Sequence, residues 1–148
     1  MKEFIAQFTK QNVIDEANVR RIGDDFYLVL PELAKTLITI RLPPLYAGMY
    51  LGRQSAKTAK PSLDLLQMLV KTDAKKAWVN DKGAWMFVCR RPAIAASIVK
   101  NEATQGELVL VLNEHDECLG YGVFDGKNIK NYYDIGDFLR RERSAKRA

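Results

Sequence analysis

The sequence predicts an α+β protein, in which a half of antiparallel strands and helices precedes a half made mostly of strands. Two apolar runs, 106–112 and 118–124, flank a charged five-residue loop and indicate a β-hairpin, because each is shorter than a typical helix. Gly120 and Gly122 share one side of the second strand and leave a smooth floor against which another element can press. The run after Pro61 has leucines at helical spacing, which predicts an amphipathic helix.

The amino-acid composition limits the kinds of protein that this chain can be. The 148 residues carry a net charge of +5 and 47% hydrophobic residues, so the chain can build a core and suits a polyanionic partner. No apolar run approaches the roughly 20 residues of a membrane helix, and the N-terminus lacks the apolar core of a signal peptide. We therefore expect a soluble cytoplasmic monomer without a cofactor. Cys89 and Cys118 are expected to be reduced thiols in the core.

The elements of the first half follow from local signals. Pro31 stands where a helix can begin, because proline fits the first helical turn, and Pro61 and Ser62 open a second helix. In chain order we expect a short helix over 2–10, a hairpin over 19–30, the helix from Pro31, a glycine-marked strand over 47–52, an exposed polar loop over 53–60, and the helix from Pro61. The polar stretch 71–76 then ends this half, so we place the domains at 1–73 and 74–148.

The second half begins with two expected strands, 77–79 and 85–89, ahead of the hairpin. Between them and the hairpin, the alanine-rich run 92–99 follows a proline and predicts a short helix. Asp134 is the expected N-cap of a terminal helix, with a second acid three residues later. Trp78 and Trp85 can stack on bases or lie in the core, and we expect them to be core residues, as aromatic side chains in small barrels usually are.

Several of these stretches resemble a known family. Gly106 with the apolar strand after it, and the Leu-Gly-Tyr-Gly of 119–122, resemble the PUA domain, a small RNA-binding barrel. The stretches 47–52, 77–79 and 134–140, in this order and spacing, make residues 27 to 143 similar to the archaeal and eukaryotic large-subunit biogenesis family called nuclear import protein seven.

The resemblance implies an N-terminal pre-PUA domain and a C-terminal PUA β-barrel. It also implies a non-enzymatic role in assembly of the large ribosomal subunit, with precursor rRNA and assembly factors as partners. Archaeal relatives are further associated with the exosome and with uridine-rich RNA, and the short length looks archaeal. Family members usually have a glycine where this chain has Cys89, Arg90 and Arg91, so we expect the turn there to be built differently.

The candidate RNA site follows from the last strand. Single-stranded RNA is held by cations along its phosphates and by aromatic planes under its bases, and Lys127, Lys130 and Tyr132 supply both. Regular strand alternation would put Lys130 and Tyr132 on one face and Tyr133 on the other, where it can be a core residue. The full set of predicted RNA-binding residues is Lys127, Lys130, Tyr132, Arg90, Arg91, Arg140 and Arg141.

Other cations leave alternatives open. Arg140 and Arg141 begin a basic C-terminal segment, which can equally suit the negative end of a helix dipole. Lysines 57, 60, 75 and 76 can extend a phosphate track or be ordinary surface lysines.

The sequence gives little support for a catalytic function. His115 is the only histidine and stands in an acidic hairpin loop, which favours an exposed loop over a metal site. No nucleophile and base pair is evident, so we expect no enzyme. A second hypothesis is a protein-docking adaptor of ribosome assembly or exosome complexes, whose RNA affinity is incidental.

Overall fold

The computed structural model describes residues 1–40, 44–55, 58–137 and 140, and the chain divides into two compact units, Met1–Thr72 and Asp73–Ala148. Both units contain helices and strands, and the predicted α+β class is confirmed. None of the helices in the described part of the chain is long and apolar enough to cross a membrane.

The first unit is a four-stranded antiparallel sheet with helices. Its strands lie in the order β1-β2-β3-β4. Their bounds are Val19–Ile22 (β1), Asp25–Leu28 (β2), Met49–Gln54 (β3) and Ala59–Pro61 (β4). The helices are Lys2–Ile5 (α1), Pro31–Thr39 (α2) and Leu63–Val70 (α3), and a 3-10 turn spans Glu16–Asn18.

Local signals explain most of these elements. Pro31 occupies the first turn of α2, as predicted. The Ser62 hydroxyl accepts a hydrogen bond from the Leu65 backbone N–H (3.0 Å) and caps α3. The expected exposed loop over 53–60 is shorter than predicted, because Arg53 pairs with Lys60 across β3 and β4.

The second unit is a five-stranded sheet in the order β6-β5-β7-β8-β9. Its strands are Lys76–Val79 (β5), Ile98–Asn101 (β6), Leu108–Leu112 (β7), Cys118–Phe124 (β8) and Ile129–Asp134 (β9). Neighbours are antiparallel except β5 and β7, which run parallel. The predicted hairpin over 106–124 is confirmed as β7 and β8. The hydrophobic core of the second unit includes Val109, Val111, Leu119 and Ile129.

The expected strand over 85–89 is wrong, because these residues end a helix, Asp81–Val88 (α4). The Asn80 side chain accepts a hydrogen bond from the Gly83 N–H (2.9 Å) and caps the helix. Gly83 and Phe87, four residues apart, are buried on one face, whereas Trp85 is 70% exposed. A short apolar run fits a strand or a helix equally well, and packing on the sheet decides for the helix.

The expected helix over 92–99 is also wrong. Ala93 instead exchanges two backbone hydrogen bonds with Ile129 (3.0 and 2.8 Å), a 3-10 turn spans Ala95–Ser97, and Ile98 begins β6. Proline and alanine there favour helix locally, but pairing of Ile98 with Val79 in the sheet overrides that preference.

The two glycines of β8 lie directly against the backbone of β9. Gly120 and Gly122 pair with Asp134 and Asn131, and a Cβ on either glycine would lie 2.0 Å from a backbone carbonyl oxygen of β9. Gly120 also has φ +147°, a conformation that favours glycine. The close approach predicted for this stripe is therefore made by the neighbouring strand.

Candidate nucleic-acid interface

The candidate interface is built on β9, which lies at one end of the five-stranded sheet. Its burial alternates, with Ile129 and Asp134 buried and Lys130 and Tyr132 exposed. Ile129 packs in the core of the unit, which fixes the strand. The side chains of Lys130 and Tyr132 are thereby presented to solvent from an ordered backbone.

A β-bulge interrupts the regular alternation of β9. The register pairs Gly122 with Asn131 and Tyr121 with Tyr133, so it passes over Tyr132. Residues that pair directly share a face, and Val123, two residues from Tyr121, pairs with Lys130. Tyr133 therefore lies on the face of Lys130, and the expectation that it lies opposite is wrong.

Tyr133 is a half-buried residue of this face. Its ring stacks on Tyr121, with 6.0 Å between centroids and 25° between planes. Burial raises the pKa of Tyr121, with Tyr133 adding to the effect. Sequence reasoning missed Tyr121 as a neighbour of the site, because a bulge that realigns two strands leaves no clear signal in the residues themselves.

A tight turn before β9 positions Lys127. The Asp125 carboxylate accepts hydrogen bonds from the backbone N–H groups of Asn128 (2.8 Å) and Lys127 (3.0 Å). These bonds lower the pKa of Asp125, and the charges of Lys130 and Lys127 lower it further. The two ammonium groups and Asp125 thus share one neighbourhood at the start of the strand.

The end of α4 contributes two more predicted cations. Arg91 is exposed and lies two residues from Ala93, whose antiparallel bridge to Ile129 joins this segment to β9. The structure therefore brings Arg91 to the strand that carries Lys130. Arg90 precedes it at the last turn of the helix.

The turn at Arg90 has the geometry that helices usually complete with glycine. The Arg91 N–H bonds to the Met86 carbonyl (3.0 Å) and the Arg90 N–H bonds to the Phe87 carbonyl (3.0 Å), which defines a Schellman motif. Arg90 has φ 64°, in the left-handed region that side chains disfavour. The turn is therefore the ordinary one with an unusual residue, and the expectation of a differently built turn is wrong.

The side chain of Arg90 is held by an ion pair. Its Nη2 donates to Oδ1 of Asp137 at 2.8 Å, and the Arg90 side chain remains 65% exposed. Arg90 thus has a strained backbone and an accessible guanidinium, and one nitrogen of that guanidinium already binds Asp137.

The Arg140 side chain makes hydrogen bonds within the second unit. Its guanidinium donates to the Val88 carbonyl (2.7 Å) at the end of α4 and to Oδ1 of Asp134 (2.9 Å). The Asp134 side chain is only 2% exposed and that of Arg140 is 33% exposed, so this is a partly buried ion pair; together with the bond to Val88 it joins β9 to the helix end. Asp134 is the last residue of β9, and helical backbone follows at Gly136. Arg141 and Lys57, also predicted, lie outside the described residues.

The two tryptophans are not core residues as expected. Trp85 is mostly exposed, and Trp78 is half-buried in β5. The Trp78 indole N–H donates to Oδ1 of Asp116 (2.7 Å), and the Lys100 ammonium lies 4.3 Å from its ring centroid. The Trp78 side chain therefore contacts Asp116 and Lys100, both in the second unit.

The remaining candidates differ in their exposure. His115 is exposed in the loop between β7 and β8, and no group of metal-ligating side chains occurs among the described residues. Cys118 is buried as expected, but Cys89 is exposed, because it ends α4 rather than a core strand. Lys60 and Lys75 are exposed, and Lys76 donates to the Ala74 carbonyl (2.9 Å).

Comparison with known proteins finds a family match within the second unit. Residues 75–143 match the family model of the UPF0113 PUA domain. A UPF0113 protein of Archaeoglobus fulgidus is 27% identical to this chain, over 70% of this chain and 66% of its own length. The chain therefore covers slightly less than two thirds of that relative.

Two solved structures are similar to this chain in whole or in part. A hypothetical protein of Pyrococcus horikoshii OT3 superimposes with a TM-score of 0.57 and 15% identity, over 95% of this chain and 93% of that one. A PUA domain of Aeropyrum pernix K1, crystallised with tartrate, matches 55% of this chain and 54% of its own, with 18% identity and a TM-score of 0.48. The family match and the Pyrococcus likeness confirm the expected architecture, with a PUA domain at residues 75–143.

Proposed function

We propose, from the premise that residues 75–143 form a PUA domain of the UPF0113 type, that this protein binds RNA during assembly of the large ribosomal subunit. Its ligand would be precursor rRNA or a uridine-rich single strand, and the protein would have no catalytic activity. The observation that carries the proposal is the set of exposed cations around β9: Lys130 lies in the strand, and Arg91 lies two residues from Ala93, which bridges to Ile129 in β9. PUA domains generally bind RNA, and such cations are what a phosphate backbone requires.

The predicted residues divide by their surroundings. Lys127, Lys130 and Arg91 are exposed and available to phosphate oxygens. Arg90 can reach a phosphate with the part of its guanidinium that Asp137 leaves exposed. Arg140 already donates hydrogen bonds to the Val88 carbonyl and to Asp134, so we assign it the role of holding β9 in place.

Gel shifts with Lys130→Ala test the proposal. Each phosphate neutralised on a single strand contributes about 0.7 to the slope of log affinity against log salt. Lys130→Ala should weaken binding to every RNA sequence and reduce that slope by about 0.7. Lys82→Ala is the matched control, because Lys82 is an equally exposed lysine of the same unit but lies on α4. If Lys130→Ala and Lys82→Ala both bind like the wild type, the β9 site is wrong.

A second candidate function, protein docking, is favoured by one observation in the first unit. Large apolar side chains are exposed there between residues 30 and 50, with Ile38 86%, Leu45 90% and Tyr46 76% exposed. Exposed apolar surface of this kind marks interaction sites. Purifying the tagged protein from its host with and without nuclease separates the two functions, because partners held through RNA are released by nuclease.

A further inference from the structure

We infer that Tyr132 is a base-stacking residue, and that the β9 site therefore takes an unpaired base of a single strand rather than the interior of a duplex. The inference rests on the proposed RNA binding and adds to it the element that selects the RNA conformation. Three observations at the bulge carry it.

The first observation is that folding makes little use of the Tyr132 side chain. The strand register passes from Asn131 to Tyr133, so Tyr132 is the extra residue of the bulge. Tyr132 is 62% exposed, so most of this large aromatic residue is open to solvent. Its size and exposure suit a partner from outside the chain.

The second observation is that both neighbours of Tyr132 are fixed. The Asn131 side-chain amide donates to the Phe87 carbonyl (2.6 Å), and the Tyr133 ring stacks on Tyr121. The backbone that carries the exposed ring is thereby held from both sides. A ring on a fixed backbone loses little conformational entropy when a base stacks on it.

The third observation is the exposed cation two residues earlier. Lys130 and Tyr132 are two residues apart in β9, and both are exposed. A single-stranded segment can therefore place a phosphate at Lys130 while a neighbouring base covers the Tyr132 ring. Bases inside a duplex are already stacked on one another and do not present a free face.

The test uses the full chain with single-stranded RNA that carries 2-aminopurine, whose fluorescence falls when it stacks on an aromatic ring. The wild type should quench the probe and prefer the single strand over a duplex of the same sequence. Tyr132→Ala should lose about 5-fold to about 150-fold in affinity for the single strand, with an unchanged salt slope and unchanged duplex binding. Tyr132→Phe should bind and quench like the wild type.

Trp85→Ala is the matched control, because Trp85 is an equally exposed aromatic residue of the same unit but lies on α4. It should leave affinity and quenching unchanged. If Tyr132→Ala retains wild-type affinity and quenching, or weakens duplex binding equally, the stacking role is overturned. In that case an effect of Lys130→Ala would still support the proposed RNA binding. Absence of binding by the wild type to any RNA would overturn both.

Discussion

Arg90→Gly separates the stability of the second unit from its proposed binding, because RNA affinity should fall while stability stays close to that of the wild type. Arg90 holds φ 64° at the position where glycine normally completes a helix end. A side chain in the left-handed region costs about 1–2 kcal/mol. The ion pair to Asp137 offsets only part of that cost, since the Arg90 side chain is 65% exposed and such pairs contribute about 0–1 kcal/mol.

The magnitudes give an expectation for two variants. Arg90→Gly and Arg90→Ala both lose the ion pair, but only glycine relieves the strain. Glycine also gives the unfolded chain more freedom, which costs about 0.4–1 kcal/mol relative to alanine. Arg90→Gly should therefore be more stable than Arg90→Ala by about 1 kcal/mol and close to the wild type.

Urea unfolding and RNA titration together provide the assay. Arg90→Gly should retain the midpoint of the wild type, whereas its RNA affinity and salt slope should fall because a cation is lost. If Arg90→Gly is less stable than Arg90→Ala, the left-handed turn at Arg90 is wrong. If both variants bind RNA like the wild type, Arg90 is not a contact, and its strain is unexplained by function.

Two further predictions concern thiols and acid. At pH 8 a thiol reagent should modify only the exposed Cys89 in the native protein and both cysteines after unfolding, because burial of Cys118 raises its pKa to about 12. The backbone N–H groups that bond to Asp125 lower its pKa from the ordinary 3.8, so its contribution to stability is complete above that value and is lost as pH falls through the folded pKa. In acid unfolding curves, Asp125→Asn should therefore show a smaller loss of stability below about pH 4 than the wild type. An equal loss in both proteins would show that the Asp125 turn does not couple to folding.

The sequence predicted those elements whose signals are local. Pro31 and Ser62 begin helices because each satisfies the first turn by itself, through a fixed φ or a side-chain acceptor. The hairpin of β7 and β8 was predictable because its apolar runs are bounded by glycine and a charged loop. Such signals do not depend on the rest of the chain.

The wrong elements are those that packing decides. The run ending at Cys89 is apolar throughout, and only burial of Gly83 and Phe87 on one face makes it a helix. Ala93 gives up local helix preference for two backbone bonds to Ile129. No local pattern distinguishes these outcomes, since each depends on a partner distant in sequence.

The candidate site shows the same division. Residue type alone made Lys130 and Tyr132 candidates, and the structure leaves both exposed. The ion pair of Arg140 with Asp134 and the left-handed turn at Arg90 could not be predicted, because neither depends on a recognisable spacing. The RNA-binding roles themselves remain predictions for the variants above.

The bulge in β9 has a consequence for how this protein's relatives can diverge. Removing the codon of Tyr132 would join Asn131 directly to Tyr133 and leave the pairs with Gly122 and Tyr121 in their present order. A one-residue slip in a regular strand would instead move every later side chain to the opposite face. An exposed aromatic ring can therefore be gained or lost here by a single insertion or deletion, without a substitution and without redesign of the sheet. Length variation at this position would therefore change the exposed aromatic surface of the strand while the pairing of β8 with β9 is kept.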